Sequence, residues 1–398
     1  MKLISIISAF CSVAIPTISY AQTDTPLRLG YLVDASGPMQ GIFKTGLDGF
    51  KMYIDSINEA GGVNGKKIEL MVRDVQIDPA RSAAAAQELA DKGALAVLGL
   101  SLTSTHMPVY NAMAKAAVPV VTGFPANVGV VLPPNPRAGV YGVGLAFEIT
   151  GYVGGELARK VSPNGSTFAC TVFESPGGFV ACDAAIQAAR KAGFTRTERI
   201  TFPVALRDFR PVAEKIAALK PDVLLTIFGR GRTLGFFPAL AEAGFKGSIL
   251  SMEAGTGDDE LRAAAKATPG IDIFSYARYA SGGQSSGPQV MALDAAAKKA
   301  GIPEVLSFHS GGWALGLTVV DALKRCPVPC TASKLDKALS STRVDTGGLT
   351  DEPITFTAND HYGPSSYRLY KYDRNADKLI DSGVVAKAAS TPSYKPEK

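Results

Sequence analysis

The sequence predicts an α/β protein built as two doubly wound lobes, each a parallel sheet with helices on both faces. Three observations predict it. Apolar runs of strand length alternate with segments of helical periodicity from Leu27 to Met252. The series pauses near Gly139 and then resumes with the same rhythm, which suggests two units rather than one. A chain of 398 residues, 46% of them hydrophobic, is too long for one core and ample for two.

The elements follow in order. Leu27 to Val33 reads as a strand, and Leu47, Phe50, Ile54 and Ile57 then fall on one face of a helix. Gly61 and Gly62 end that helix, and Gly65 turns the chain into a strand over Lys67 to Val72. An Ala-rich helix runs from Pro79, a residue suited to the first helical position, to Lys92. A strand (Ala94 to Leu98), a helix (Thr105 to Ala116) and a strand (Val118 to Thr122) complete the first series. The second has helices at Glu148–Lys160, Val180–Ala192, Phe209–Leu219 and Leu234–Ala243. Its strands are Thr167–Val172, Thr197–Phe202, Asp222–Phe228 and Ile249–Met252. Beyond these, Pro288–Ala300 and Ser310–Lys324 read as helices, and Ile354–Thr357 and Tyr367–Tyr372 as short antiparallel strands.

The N-terminus reads as a secretory leader. Lys2 is its positive end, Leu3 to Ile18 its apolar stretch, and Ser19 and Ala21 the small residues at −3 and −1 of a cleavage site. An uncleaved membrane anchor is the alternative, and it fits less well because a cleavage motif is present. Lipid attachment at Cys11 is disfavoured by bulky Phe10. The 41 basic and 36 acidic residues give +5, and losing the leader removes Lys2 and no acid, leaving +4. So mild a balance, without basic runs, gives no support for nucleic-acid binding. The four cysteines after the leader form two local couples, Cys170 with Cys182 and Cys326 with Cys330. In an exported chain they predict disulfides, with buried free thiols or a metal site as alternatives. Metal is weakest, since no second Cys or His pair lies near Cys326 and Cys330.

Several strings mark a resemblance: Leu29 to Pro38 (LGYLVDASGP), Ile57 to Lys66 (INEAGGVNGK), Asp74 with Asp78 and Pro79, Val118 to Val120 (VPV), Ala241 to Gly244 (AEAG) and Phe356 to His361 (FTANDH). Each is common alone. In this order, across Leu27 to Tyr372, they resemble the leucine/isoleucine/valine-binding family of periplasmic receptors, the solute-binding proteins of ABC importers. The resemblance implies two Rossmann-like lobes joined by a three-strand hinge, with the ligand in the cleft between them. It places lobe one at residues 22–141 and 278–349, lobe two at 142–277 and 350–389, and a flexible tail at 390–398. It also implies a periplasmic monomer without cofactor, which fits the cleavage after Ala21 that the leader residues predict. Its partners would be a small amino acid or carboxylate and an inner-membrane ABC permease.

Candidate ligand contacts lie where strands end and helices begin, as expected for open α/β sheets. The loop Ser101, Leu102, Thr103, Ser104, Thr105 offers hydroxyls and helix-start amides to a carboxylate, with simple capping by Ser104 or Thr105 as the alternative. By resemblance, Leu102 stands where amino-acid binders carry a ligand-contacting serine, and Ala126 near their threonine. Both departures widen the field to aromatic or aliphatic carboxylates. Phe124 would add an aromatic wall, and Glu253 matches the family acid that holds a ligand amine. Arg230 and Arg232 could grip a carboxylate, although a solvated surface fate fits Arg232 better. Phe179 could cap the ligand and, with Phe43 and Tyr31, shape an apolar pocket; core packing is the commoner fate of such residues.

Other functions fit less well. Gly229, Gly231 and Gly235 with Glu253 imitate a dinucleotide-binding loop, but the spacing is one residue too long. His106, His309 and His361 are not accompanied by a G-x-S-x-G elbow, which argues against a hydrolase. A ligand-sensing receptor lobe would share the fold of a transport receptor.

Overall fold

The computed structural model describes residues 25–37, 39–123, 128–203, 205–227, 231–252 and 258–388. The expected leader and the tail from 390 lie outside them. The chain begins with β1 (Leu27–Val33), α1 (Gln40–Glu59), β2 (Ile68–Asp74), α2 (Pro79–Asp91), β3 (Val97–Gly99), α3 (His106–Ala116), β4 (Val120–Thr122), α4 (Val128–Val131) and β5 (Val140–Gly142). It crosses to α5 (Phe147–Val161), β6 (Thr167–Phe173), α6 (Pro176–Lys191), β7 (Arg196–Phe202), α7 (Arg210–Leu219), β8 (Val223–Ile227), α8 (Thr233–Glu242), β9 (Ser248–Met252), α9 (Asp258–Lys266) and β10 (Ile273–Ala277). It returns for α10 (Pro288–Lys299), α11 (Ser307–Arg325), α12 (Ala332–Leu339) and an antiparallel ribbon of β11 (Arg343–Val344) and β12 (Ile354–Thr355). A third crossing leads to β13 (Ser366–Asp373) and β14 (Lys378–Lys387).

The first sheet has the order β2-β1-β3-β4-β5 and is parallel throughout. The second has the order β14-β13-β10-β9-β8-β6-β7. Its first-wound strands are parallel, and β13 and β14 are added antiparallel at the β10 edge. The two lobes are therefore doubly wound as expected. Strand pleating divides the apolar residues between layers: Leu29, Tyr31 and Val33 join the core under α1 and α11, while Leu32 faces the core of α2 and α3.

Local chemistry sets the element ends. Asp78 caps α2 by accepting from the Arg81 amide at 2.7 Å, with Pro79 behind it. Ser175 caps α6 by accepting from the Gly178 amide at 3.1 Å. Asn58 at the end of α1 grips both backbone groups of Ile68, so one side chain pins the helix to the start of β2. Both expected disulfides are present. Cys170–Cys182 joins β6 to α6 inside the core, and Cys326–Cys330 closes the turn between α11 and α12.

Several expectations need correction. The strand read as Ala94 to Leu98 is Val97–Gly99, and that read as Val118 to Thr122 is Val120–Thr122, because Ala94 and Val118 pack as loop residues beside their helices. The helix read from Val180 starts earlier, at Pro176, where Ser175 caps it. Seven elements escaped the sequence reading, three helices (α9, α12 and α4) and four strands (β14, β5, β10 and β11). The three helices are short, β5 and β11 span only three and two residues, and β14 is an edge strand with most residues exposed, which erases the apolar alternation. Among the described residues no helix is long and apolar enough to cross a membrane.

Helices α1 and α11 pack with their backbones in close approach. A Cβ at Gly312 would meet the Gly46 carbonyl oxygen at 1.9 Å, and one at Gly49 would meet the His309 carbonyl oxygen at 2.1 Å. Gly312→Ala should therefore lower stability by about 1–3 kcal/mol, the usual cost of overpacking. Gly41→Ala, on α1 with nothing within 4 Å of the added carbon, should be neutral or slightly stabilising. Urea unfolding of both variants measures the difference.

Candidate ligand-binding site

The carboxyl ends of the parallel strands meet beside the three crossovers. Those crossovers are bonded to one another. The Gly142 amide donates to the His361 carbonyl at 2.8 Å, and the Gly363 amide donates back to the Gly142 carbonyl at 3.1 Å. The Tyr279 hydroxyl donates to the Val143 carbonyl at 2.6 Å. Arg278, 4% exposed, donates to the Gly144 carbonyl and to the Tyr362 hydroxyl. Against this hinge opens a narrow cavity of about 30 Å³, lined by Tyr31, Phe43, Gly99, Gly123, Tyr279 and Phe308. It has room for one or two waters or the tip of a side chain. Tyr31 and Phe43 thus share an apolar pocket as expected, but Phe179 is elsewhere.

In lobe one the strand-end turn after β3 has an uncommon shape. Leu100 follows Gly99 in the left-handed region, at φ 77°, and its amide donates both to the Leu32 carbonyl at 3.0 Å and to the Leu98 carbonyl at 3.1 Å. A bulky residue in that conformation is strained, and such strain collects where function demands a fixed backbone. The turn delivers Ser101 to Thr105 to the start of α3 through one short 3₁₀ turn over Thr103–Thr105. Leu102 packs its side chain on the lobe-one core, so what it can offer a ligand is main chain. Ser104 is exposed and Thr103 half-buried. Their amides head the turn, where helix-start N–H groups lack intrahelical partners. Thr105 does not cap the helix: its hydroxyl donates to the Leu102 carbonyl at 2.8 Å.

Beneath this loop lies a polar cluster that sequence reasoning missed. The buried Asp34 carboxylate accepts from the Ser101 hydroxyl and, at 2.7 Å, from the Ile77 amide. Burial pushes its pKa up, although both hydrogen bonds oppose the shift. His106 is fully buried and held by the Ser101 carbonyl at 2.8 Å and the Tyr110 hydroxyl at 3.1 Å. Loss of hydration lowers its pKa to about 4. The signal for Asp34 was a carboxylate at the apolar end of a strand, inside the marker string at Leu29 to Pro38.

In lobe two Phe179 packs on the core at α6, with the Arg199 guanidinium 5.1 Å from its ring centre and Arg199 paired to Asp183. The core-packing alternative therefore holds for Phe179. Arg232 is half-buried, not a solvated surface residue: its guanidinium stands 5.2 Å from the Phe173 ring centre at the end of β6. Burial, then the nearby Arg207, lower its pKa. Glu148, in the first turn of α5 just past the first crossover, has its pKa raised by burial. Phe124, Ala126, Arg230 and Glu253 lie outside the described residues.

The three histidines are structural. Beyond His106, the His309 Nδ1 accepts from the Leu306 amide at 3.0 Å, and His361 bonds the Val140 carbonyl at 2.9 Å. The dinucleotide-loop reading meets a specific obstacle as well. The Gly231 amide donates to both carboxylate oxygens of buried Glu260, at 2.8 and 2.9 Å, so an acid holds the group a phosphate would need.

Two doubly wound lobes, three mutually bonded crossovers and strand-end loops gathered beside them agree with what family comparison finds. The periplasmic binding protein family model matches residues 26–378. The chain belongs to that family. A curated relative, "Leu/Ile/Val-binding protein homolog 3" of Brucella melitensis, is 22% identical over 94% of this chain and 97% of its own. Among solved structures, a fatty acid ABC transporter substrate-binding protein from Thermomonospora curvata superimposes with a TM-score of 0.76 at 21% identity, covering 94% of this chain and 95% of its own. A solute-binding protein of an ABC transporter from R. palustris, in complex with benzoate, gives 0.73 at 16% identity, covering 92% and 97%. At these identities the structural likeness speaks for the fold. All three are named as binding proteins, and the two solved structures as substrate- or solute-binding proteins of ABC transporters.

The geometry of His106 makes a stability prediction for this periplasmic binding protein. Its folded pKa of about 4 lies below the ordinary value of 6.5. Between those pH values the unfolded chain binds the extra proton, so stability rises with pH across that window. The contribution is complete above about pH 6.5 and is lost as pH falls through about 4, amounting to about 3 kcal/mol. His106→Gln should flatten the pH dependence of denaturant midpoints between pH 4 and 6.5. An unchanged slope would show that His106 is not the titrating group.

Proposed function

We propose that the chain is the periplasmic solute receptor of an ABC importer. It captures a small amino acid or an organic or aromatic carboxylate, closes its lobes over it and delivers it to an inner-membrane permease. The observation that carries this reading is the loop after β3, where Leu100, at φ 77°, lines the cavity beside Arg278 and Tyr279 and leads into the turn of Thr103 and Ser104. Helix-start amides and hydroxyls suit a carboxylate, the group shared by amino acids, fatty acids and benzoate. The ligand names carried by the family's members, from Leu/Ile/Val to fatty acid and benzoate, support the breadth of the class. In this reading the leader is removed after Ala21 and the receptor acts as a monomer without a cofactor.

A thermal-shift screen with L-leucine, L-valine, benzoate and octanoate tests binding, because a ligand stabilises the state it binds. At least one should raise the melting temperature, and small-angle scattering with that compound should show a smaller radius of gyration. Identical dimensions at saturation would rule out lobe closure.

Glu253 separates the ligand classes. We assign it to a ligand ammonium, on its place directly after β9 and its match to the family acid. Glu253→Gln keeps the shape and removes the charge. For an amino acid, affinity should fall by about 3–5 kcal/mol, since one side of a desolvated pair is lost. For a plain carboxylate the change should be neutral or favourable. Calorimetry on both proteins reads the outcome. An amino-acid ligand bound equally well by the variant would remove Glu253 from the site.

A further inference from the structure

We propose that Asp34 is a positioning residue for solute binding: it clamps the three strand-end loops of lobe one so that Thr103 and Ser104 are held ready. This rests on the reading of the loop after β3 as a solute contact. Asp34 directly follows β1 and is fully buried. Its Oδ2 accepts from the Ser101 hydroxyl of the loop after β3, and its Oδ1 accepts from the Ile77 amide of the loop after β2. One carboxylate thus joins three loops that are far apart in sequence. Next to it, Asp74 repeats the device on a smaller scale, accepting from the Ala35 amide and the Ser36 hydroxyl.

What the clamp holds is unusual backbone. Ile77 lies at φ 59° beside Gln76 at φ 53°, and Leu100 at φ 77° immediately precedes Ser101. A β-branched and a bulky side chain in the left-handed region are rare, and they persist only where surrounding contacts over-determine them. Ile77 donates its own amide to Asp34, and Leu100 directly precedes the Asp34 partner Ser101. Elsewhere the left-handed non-glycine residues Ala117 and Lys220 simply end helices, where that conformation is ordinary. Ser101 is gripped twice, through its hydroxyl by Asp34 and through its carbonyl by His106, while Thr105 secures the Leu102 carbonyl. The exposed part of the loop, Thr103 to Ser104, is left between fixed points. A buried carboxylate is a costly way to fill space, and an apolar residue would pack more cheaply; its presence indicates that the loop geometry is what it serves.

The test compares Asp34→Ala, Asp34→Asn, Ser101→Ala and the double variant Asp34→Ala/Ser101→Ala with the wild type. Amide hydrogen exchange is read at Leu100 and Thr105, and dissociation constants are measured for L-leucine and benzoate. Each alanine variant should speed exchange at those amides by roughly tenfold or more and weaken whichever probe the wild type binds by a similar factor. The double variant should be no worse than the weaker single one, because both remove the same contact. Asp34→Asn, which can still accept from Ile77 and can donate to Ser101, should recover most of both losses; a role confined to global stability would instead move the melting temperature and leave affinity at saturating fold unchanged. Asp34→Asn and Ser101→Ala keep the test decisive if Asp34→Ala does not fold. Unchanged exchange at Leu100 and Thr105, or faster exchange with unaltered affinity, overturns the proposal. If the wild type binds neither probe, the solute assignment fails, while the exchange data still decide whether Asp34 holds the loop.

Discussion

One guanidinium sits where the two lobes are joined. Arg278 follows β10 directly, is buried among the crossovers, and donates to the first crossover at Gly144 and to the third at Tyr362. Its plane also lies within 5.2 Å of the Tyr279 ring centre and 5.7 Å of that of Tyr367. A buried guanidinium tolerates little displacement, because each lost donor leaves a desolvated charge short of a partner. The three crossovers are therefore held together as one unit. Linked in this way, the crossovers form the only kind of junction about which backbone rotations could turn one lobe as a hinge, the motion proposed above.

With the crossovers gathered, the parallel sheets determine where chemistry can occur. Parallel strands of one lobe all finish at the same edge, so their following loops converge without any sequence proximity. In lobe one this brings together the ends of β1, β3 and β4 at Tyr31, Leu100 and Gly123 beside Tyr279. The groups offered there are hydroxyls and amides on a backbone fixed by Asp34 and His106. Hydroxyls and amides of this kind offer hydrogen bonds rather than charge. That agrees with membership of the periplasmic binding protein family.

Lobe two shows how easily an aromatic or a charge is misread in sequence. Phe179 lies one turn from the start of α6, close to the strand ends, yet the helix phase turns it onto the core beneath Arg199. Arg232 looked solvent-bound in an open glycine-rich loop, but Phe173 at the end of β6 gives its guanidinium a face to cover. Gly231, which resembled part of a phosphate loop, spends its amide on Glu260 from α9, an element that the short apolar pattern of Asp258–Lys266 did not announce. Each difference comes from a contact between elements distant in the chain.

Periodicity, punctuation by Gly and Pro, and the four paired cysteines were enough for the α/β class, the doubly wound lobes and both disulfides, because those features depend on local propensity and on burial of regularly spaced apolar residues. Marker strings carried the family. What the linear order could not supply was the partner of each polar group. Asp34 is 43 residues from Ile77 and 67 from Ser101, and Arg278 is 134 from Gly144. Hydrogen bonding acts over a few ångströms in space and has no periodic trace in sequence, so the clamp, the hinge and the fate of Phe179 were decided only when the sheets brought distant strand ends together.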